Sequence, residues 1–216
     1  MIRCSGCALF EDKCVCSSLI HVESSVSVVL IRHCKEQHRG SNTARILHSS
    51  LPQSTMLDYG CTNAHLPDLS HITWETSALV FPMFYNPDPN RPPTPVTDIS
   101  TIRTLIILDG SWKQTSRMLK RMPELIQLPR LEIEPASPPL PRIRHPYFEG
   151  GMCTMEAGIQ ALKPFMTAEQ TEQLTQNYIL WLDRVRQMSG LRTPLSPGQS
   201  FKDARKVQHE SNARSQ

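Results

Sequence analysis

The stretch that most narrows the choice of fold is Thr104-Leu105-Ile106-Ile107-Leu108-Asp109-Gly110-Ser111-Trp112. An unbroken apolar and β-branched run closed by turn formers reads as a short strand buried on both faces, as in a parallel sheet. It passes into Asp-Gly-Ser, a turn and helix-start signature, and then into residues 113–122, which carry a helical pattern. An aspartate therefore stands at the carboxyl end of a core strand and ahead of a helix N-terminus, the place where open α/β sheets bind ligands. Glycine backbone and helix-terminal N–H groups can meet an anionic ligand there. An Asp after a strand is more often a turn or N-cap residue than a catalytic one, so position alone assigns it no chemistry.

Length and charge set the outer limits. A chain of 216 residues fits one domain with small appendages. No apolar run reaches the length of a membrane span, and the first residues lack the layout of a signal peptide. The expectation is a cytoplasmic protein with no membrane partner, whose seven cysteines serve something other than disulfides. Of the net charge of +3, all comes from residues 191–216, which hold five Lys/Arg and two Asp/Glu; the first 190 residues hold eighteen of each. A uniformly basic nucleic-acid binder is thereby excluded, and any RNA contact is confined to local patches. One such patch follows the central stretch, with seven Lys/Arg against three Glu between Lys113 and His145. Lys113, Arg117, Lys120 and Arg121 share one helix face by their spacing, as a solvated surface or as a phosphate contact.

Near the N-terminus, Cys4-x2-Cys7-x6-Cys14-x-Cys16 places four cysteines within thirteen residues. Four thiolates suit a closed, structural tetrahedral Zn²⁺ site. The competing readings are chance clustering and a redox Cys-x-x-Cys, and the latter needs a helix in a thioredoxin-like βαβ context that is missing here. Metal would fold a segment too short and polar to fold by itself. Cys34, Cys61 and Cys153 are expected to be unliganded.

Residues 26–31 read as the first core strand, followed by a cation-rich loop and a helix from Ser41 or Asn42 to about Ser50. Further strands are expected at 54–59, 78–82 and 130–134, and proline-rich loops at 88–95 and 136–141. Cys153 or Thr154 caps a helix over 155–163. Leu174, Tyr178, Trp181, Val185 and Met188 recur at helical steps as core packing. Residues 191–216 are expected to be a flexible polar tail.

Several of these stretches together resemble one family. Asp109-Gly110-Ser111-Trp112 resembles the Asp-x-(Ser/Thr)-Trp signature of the DTW-domain family. Asn42-Thr43-Ala44-Arg45-Ile46-Leu47 is similar to its Asn-Thr-x-Arg motif, and Phe81-Pro82 to its cofactor loop. Arg142 to Ala157 resembles its closing motif of basic residues and Ser-Thr-x-Glu-Ala, with Cys153 in place of the usual Ser. The cysteine knuckle recurs in many members. After Pro82, Met83 stands where a small polar residue is usual, a departure from the pattern.

The resemblance implies an α/β fold of the SPOUT-like knotted kind, a mostly parallel sheet flanked by helices. It divides the chain into a zinc-binding knuckle (1–20), a catalytic domain (21–190) and the tail (191–216). It implies a tRNA-uridine aminocarboxypropyltransferase, which moves the 3-amino-3-carboxypropyl group of S-adenosylmethionine onto N3 of a uridine in tRNA. Asp109, Ser111 and Trp112 are the candidate catalytic residues, Asp109 as general base and Trp112 either stacking the uracil or packing beneath the cofactor loop. S-adenosylmethionine is expected among Phe81, Pro82, Leu108, Asp109, Gly110, Ser111, Met152, Cys153, Thr154 and Glu156. Arg39, Arg45, Lys113, Arg117, Arg121, Arg142 and Arg144 are the candidate RNA contacts, and basic patches within one chain permit a monomer. Two other readings stay open: a SPOUT-type RNA methyltransferase, and a non-enzymatic zinc-containing RNA-binding adaptor.

Overall fold

The structure is a computed structural model and describes residues 2–60 and 66–214, the side chains of 211–214 excepted; Cys61 lies outside the described residues. Four parallel strands, β1 (Ser27–His33), β2 (Ser54–Tyr59), β3 (Ser77–Val80) and β4 (Thr104–Asp109), form one sheet in the order β2-β1-β4-β3. The two apolar runs occupy the two inner places, as a strand covered on both faces must. Alternate residues go to opposite layers. Val28, Leu30, Leu105 and Ile107 join one core cluster, while Val29, Ile31, Ile106 and Leu108 join another.

Helices cover both faces. On the first lie α1 (Ala44–Ser50), α4 (Thr154–Leu162) and the 21-residue α5 (Ala168–Met188), which contribute Ile46, Leu47, Met155, Ile159, Leu174, Tyr178 and Trp181. On the second lie α2 (Trp112–Arg121) and the short α3 (Pro123–Ile126), with Met118, Leu119 and Leu125. The apolar stripe of α5 packs as its spacing requires: Leu174, Tyr178 and Trp181 are buried, and Val185 and Met188 pack against the same cluster. Among the described residues no helix is long and apolar enough to cross a membrane.

Two segments differ from their sequence expectation. Residues 130–134 form no strand; Arg130 makes isolated bridges to Leu79 and Pro95, because the four-residue β3 offers it only a short edge before Pro82 interrupts the donor pattern. Residues 191–216, expected as a flexible tail, carry α6 (Phe201–Arg214). Their polar composition conceals a few apolar anchors, Leu191, Phe201 and Ala204, which are buried in the first core cluster. The backbone N–H of Arg142 also donates to Gln199 C=O at 3.0 Å, so the segment is pinned to the loop before α4.

The α5 face is further tied to the N-terminal region by Asn177. Its amide accepts from Ile20 N–H at 2.9 Å and donates to Ile20 C=O at 2.7 Å and Ser50 Oγ at 3.0 Å. Asn177→Ala leaves these groups unpaired beside a buried contact. Urea unfolding should show a loss of about 1–2 kcal/mol with an unchanged slope.

Candidate functional site

Parallel pairing sets Arg32 of β1 beside Asp109 of β4, so the carboxyl ends of both inner strands open at the same place. A cavity of about 830 Å³ begins there, walled by the strand ends, the loop after β3, the loop before α1 and residues 142–154. Its lining is mainly apolar and aromatic with a few convergent polar groups, the usual make-up of a small-molecule site.

Asp109 is the focus of those polar groups. It is buried, and its carboxylate accepts from Asn42 Nδ2 at 2.5 Å on one oxygen and from Thr154 Oγ1 at 2.5 Å on the other. Burial pushes its pKa above the usual carboxylate range; Thr154 and Asn42 oppose the push, nearby Glu36 adds to it and Arg32 opposes it. Two lone-pair positions remain on a carboxylate that accepts two hydrogen bonds. The result is an oriented base of raised basicity facing a largely apolar space.

The helix starts around it are built by capping. Ser111 caps α2 in a reciprocal box with Gln114, whose Oε1 accepts from Ser111 N–H at 2.6 Å. Cys153 caps α4 in the same way with Glu156, whose Oε2 accepts from Cys153 N–H at 2.9 Å. Glu156 Oε1 is held by Arg142 Nη2 at 2.8 Å, and Arg142 Nη1 donates to Gly151 C=O at 3.3 Å. Glu156 thus fixes the helix entry and neutralises a buried arginine at once. Although Cys153 as a residue is half-buried, burial of its thiol pushes the pKa up to about 12, so it is no nucleophile at neutral pH.

Trp112 opens α2 and is boxed in by other rings. Phe81 stacks on it at 5.5 Å and 15°, and Tyr85 and Phe148 meet it edge-on at 5.3 and 5.1 Å. Of the two places weighed for Trp112 from sequence, this geometry favours packing against the Phe81-Pro82 loop.

The sequence-derived site residues fall into two groups. Phe81, Pro82, Leu108, Asp109, Gly110, Ser111, Trp112, Met152, Cys153, Thr154 and Glu156 all line the one cavity, as do Arg142 and Arg144. Arg39, Arg45, Lys113, Arg117 and Arg121 do not. Arg39 pairs with Glu36 at 3.2 Å. Arg45 donates to the carbonyls of Ser5 (2.5 Å) and Gln37, a local clamp rather than a free cation. Lys113, Arg117 and Arg121 are exposed on α2. Sequence reasoning overlooked Asn42 as a site residue; it looked like a helix cap, and its Oδ1 does accept from Arg45 N–H at 3.2 Å, yet its Nδ2 is what holds Asp109. The proline-rich loop over 88–95 takes no part in the cavity wall.

With this geometry in hand, the family model for the DTW domain matches residues 1–186. The chain belongs to the DTW-domain family. No solved structure matches it. Family membership is consistent with a tRNA-modifying enzyme. The match begins before the cysteine cluster and ends before α6, so the knuckle lies within the matched DTW region and the C-terminal helix outside it.

That knuckle can hold a metal ion. The Sγ atoms of Cys4, Cys7, Cys14 and Cys16 lie within 4.8 Å of one another, with contacts of 3.4 to 3.7 Å for three pairs. Four thiolates at about 2.3 Å from a tetrahedral ion stand about 3.8 Å apart. Gly6 is required by this crowding, because a Cβ there would come within 2.8 Å of Cys16 Sγ. The knuckle is also part of the core: Cys7, Leu9 and Val15 are buried with Trp181, whose Nε1 donates to Cys7 C=O at 3.2 Å.

The raised pKa of Asp109 has a sign that can be measured. The folded state holds the proton more tightly than the unfolded one, so this group's contribution to stability is full below the ordinary carboxylate range and is lost as pH rises through its raised value. Asp109→Asn removes that component. Urea unfolding from pH 4 to 8 should show the wild type losing stability relative to the variant as pH increases, a difference in which the other carboxylates cancel.

Proposed function

We propose that this DTW-domain chain transfers the 3-amino-3-carboxypropyl group of S-adenosylmethionine to N3 of a uridine in tRNA. The observation that carries the reading is the Asp109 carboxylate, buried, doubly oriented and raised in basicity at the floor of a cavity of drug-molecule size. Uridine N3 bears a proton and is a poor nucleophile until that proton leaves. Asp109 takes it, and burial moves the acceptor's pKa towards the operating pH, as general-base catalysis requires. Asn42 and Thr154 keep the carboxylate from turning, so the acceptor oxygen is in place before substrate arrives. The sulfonium supplies an electrophilic carbon: the N3–Cγ bond forms, the Cγ–S bond breaks, and the electron pair returns to sulfur as a neutral thioether.

The remaining cavity residues fit the two substrates. Phe81, Pro82, Leu108 to Ser111, Met152, Cys153, Thr154 and Glu156 enclose S-adenosylmethionine; Arg142 and Glu156, already paired, hold the wall closed around it. The exposed cations of α2, together with Arg144, take phosphates of the RNA. The knotted SPOUT relationship belongs to the same proposal, as does a cytoplasmic monomer acting on tRNA.

Labelled cofactor tests the reaction. With carboxyl-labelled S-adenosylmethionine the label should enter tRNA, and with methyl-labelled cofactor it should not. Incorporation of the methyl label would make the chain a methyltransferase, and absence of cofactor binding by calorimetry would make it an RNA-binding adaptor. Asp109→Asn should lower transfer by about 10²–10⁴-fold with the fold intact.

The metal in the knuckle is proposed to be Zn²⁺, held by Cys4, Cys7, Cys14 and Cys16 and serving structure alone, since all four positions are filled by protein. Because the knuckle shares a core with Trp181, chelation should lower the melting temperature of the whole domain in a single transition. Loss of a separate minor transition only would mean an independent appendage.

A further inference from the structure

We infer that Phe84 and Tyr147 form a stacking platform for an unpaired RNA base at the mouth of the cavity, an inference that rests on the RNA-modifying reading above and extends it to the site that receives the base. Trp112 offers little open ring surface for this role, being stacked on Phe81 and edged by Tyr85 and Phe148. Two other rings are open. Phe84 is 69% exposed and Tyr147 is 82% exposed. Among the described residues these are the only Phe, Tyr or Trp side chains in the exposed class, and both line the same cavity. A scattered exposed aromatic needs no explanation, but two on one rim leave a patch of uncovered ring surface where a substrate must enter.

The platform is mounted on rigid supports. Arg130 is buried and donates from one nitrogen, Nη1, to the carbonyls of Pro82 and Tyr85 at 2.6 Å each, clamping the turn that presents Phe84. Tyr85 Oη reaches Ser116 C=O on α2 at 3.3 Å. The Phe84 ring meets Phe148 edge-on at 5.3 Å, joining the two sides of the mouth, and lies tilted against Trp112 at 5.8 Å. On the other side, Gly151 N–H donates to Phe148 C=O at 2.9 Å and closes the turn that follows Tyr147.

The rim charges are mixed, with exposed Glu132 and Glu149 lining the cavity as well as Arg144, so the open rings together with Arg144, rather than net charge, point to the occupant. Arg144 is exposed three residues before Tyr147 and lines the same cavity, with one contact, to Ser41 Oγ at 3.3 Å. Lys113 is exposed directly after Trp112. Open rings flanked by cations are the combination that binds single-stranded nucleic acid, rings for bases and cations for phosphates. A base presented for modification must leave its stack, and aromatic side chains receive it.

The test compares the double variant Phe84→Leu/Tyr147→Leu with Phe84→Tyr/Tyr147→Phe. Leucine keeps apolar area and removes the ring; the second pair keeps the ring. Fluorescence anisotropy with labelled tRNA and with single-stranded oligouridylate gives affinities without chemistry, and calorimetry gives S-adenosylmethionine affinity. The leucine pair should weaken both RNA probes by roughly tenfold or more and leave the salt dependence unchanged because no phosphate contact is lost, while cofactor affinity changes by much less than RNA affinity and the chain stays folded by circular dichroism. The aromatic pair should restore RNA affinity. RNA affinity indifferent to the leucine pair, or a weakening that the aromatic pair does not repair, would overturn the platform. A chain that binds RNA through these rings yet transfers nothing would keep the platform and lose the transferase reading; one that transfers with RNA affinity indifferent to the rings would do the reverse.

Discussion

The two hydrogen bonds that fix the Asp109 carboxylate join three separate parts of the fold. Asp109 ends β4, Asn42 precedes α1 and Thr154 begins α4. A buried carboxylate without donors would carry a desolvation cost on the order of several kcal/mol, so its partners must arrive with it. Meeting that demand obliges α1 and α4 to lie with their N-termini over the end of the sheet. The close contact of Gly158 with Leu47, where a Cβ would come within 2.3 Å, is the packing consequence: α4 has no room for a side chain at that point on α1.

Burial and paired donors pull the carboxyl in opposite directions, and both are needed for a base. Donors alone would make Asp109 a weak base with a low pKa; burial alone would leave a neutral, freely turning acid. Burial wins in the net direction, while the donors determine which way the remaining lone pairs point. Glu156 lines the same cavity and is buried as well, but its two oxygens are already engaged, one by Arg142 and the other by the Cys153 N–H. Engaged on both oxygens, it holds the wall in place, and the Asp109 carboxylate, with one donor on each oxygen, keeps lone pairs unengaged.

Much of the sheet and the placement of Asp109 were legible in the chain because they depend on short-range pattern. Residues 105–108 are apolar at every position, which leaves little alternative to an inner parallel strand, and Gly110-Ser111 marks the helix start. The cysteine spacing likewise pointed to the knuckle, since four thiols so close in sequence have few places to go. Contacts between distant segments left weaker traces. Asn42 reads as a cap, and nothing in its neighbourhood points to a residue 67 positions away. Arg45 reads as a free cation, yet partial burial among backbone carbonyls makes it a clamp. The C-terminal segment reads as polar coil, because three anchors, Leu191, Phe201 and Ala204, are too few to register as a helical stripe. Phe84 and Tyr147 left no signal at all: an aromatic in a loop becomes meaningful only when its exposure and its position on the cavity rim are both known.

The cysteine knuckle and the Asp109 carboxylate are linked through Arg45. Its Nη1 donates to Ser5 C=O inside the knuckle, its Nη2 to Gln37 C=O in the loop after β1, and its backbone N–H to Asn42 Oδ1. Asn42 then donates to Asp109. An ordered knuckle therefore supplies a fixed carbonyl at one end of a chain of contacts whose other end orients the carboxylate. A metal ion held by the four cysteines would order the loop that carries Ser5, whose carbonyl Arg45 grips, and Arg45 in turn backs the side chain that aims Asp109. The arrangement also accounts for an arginine at that position, since a lysine ammonium could not span two carbonyls with a planar fork.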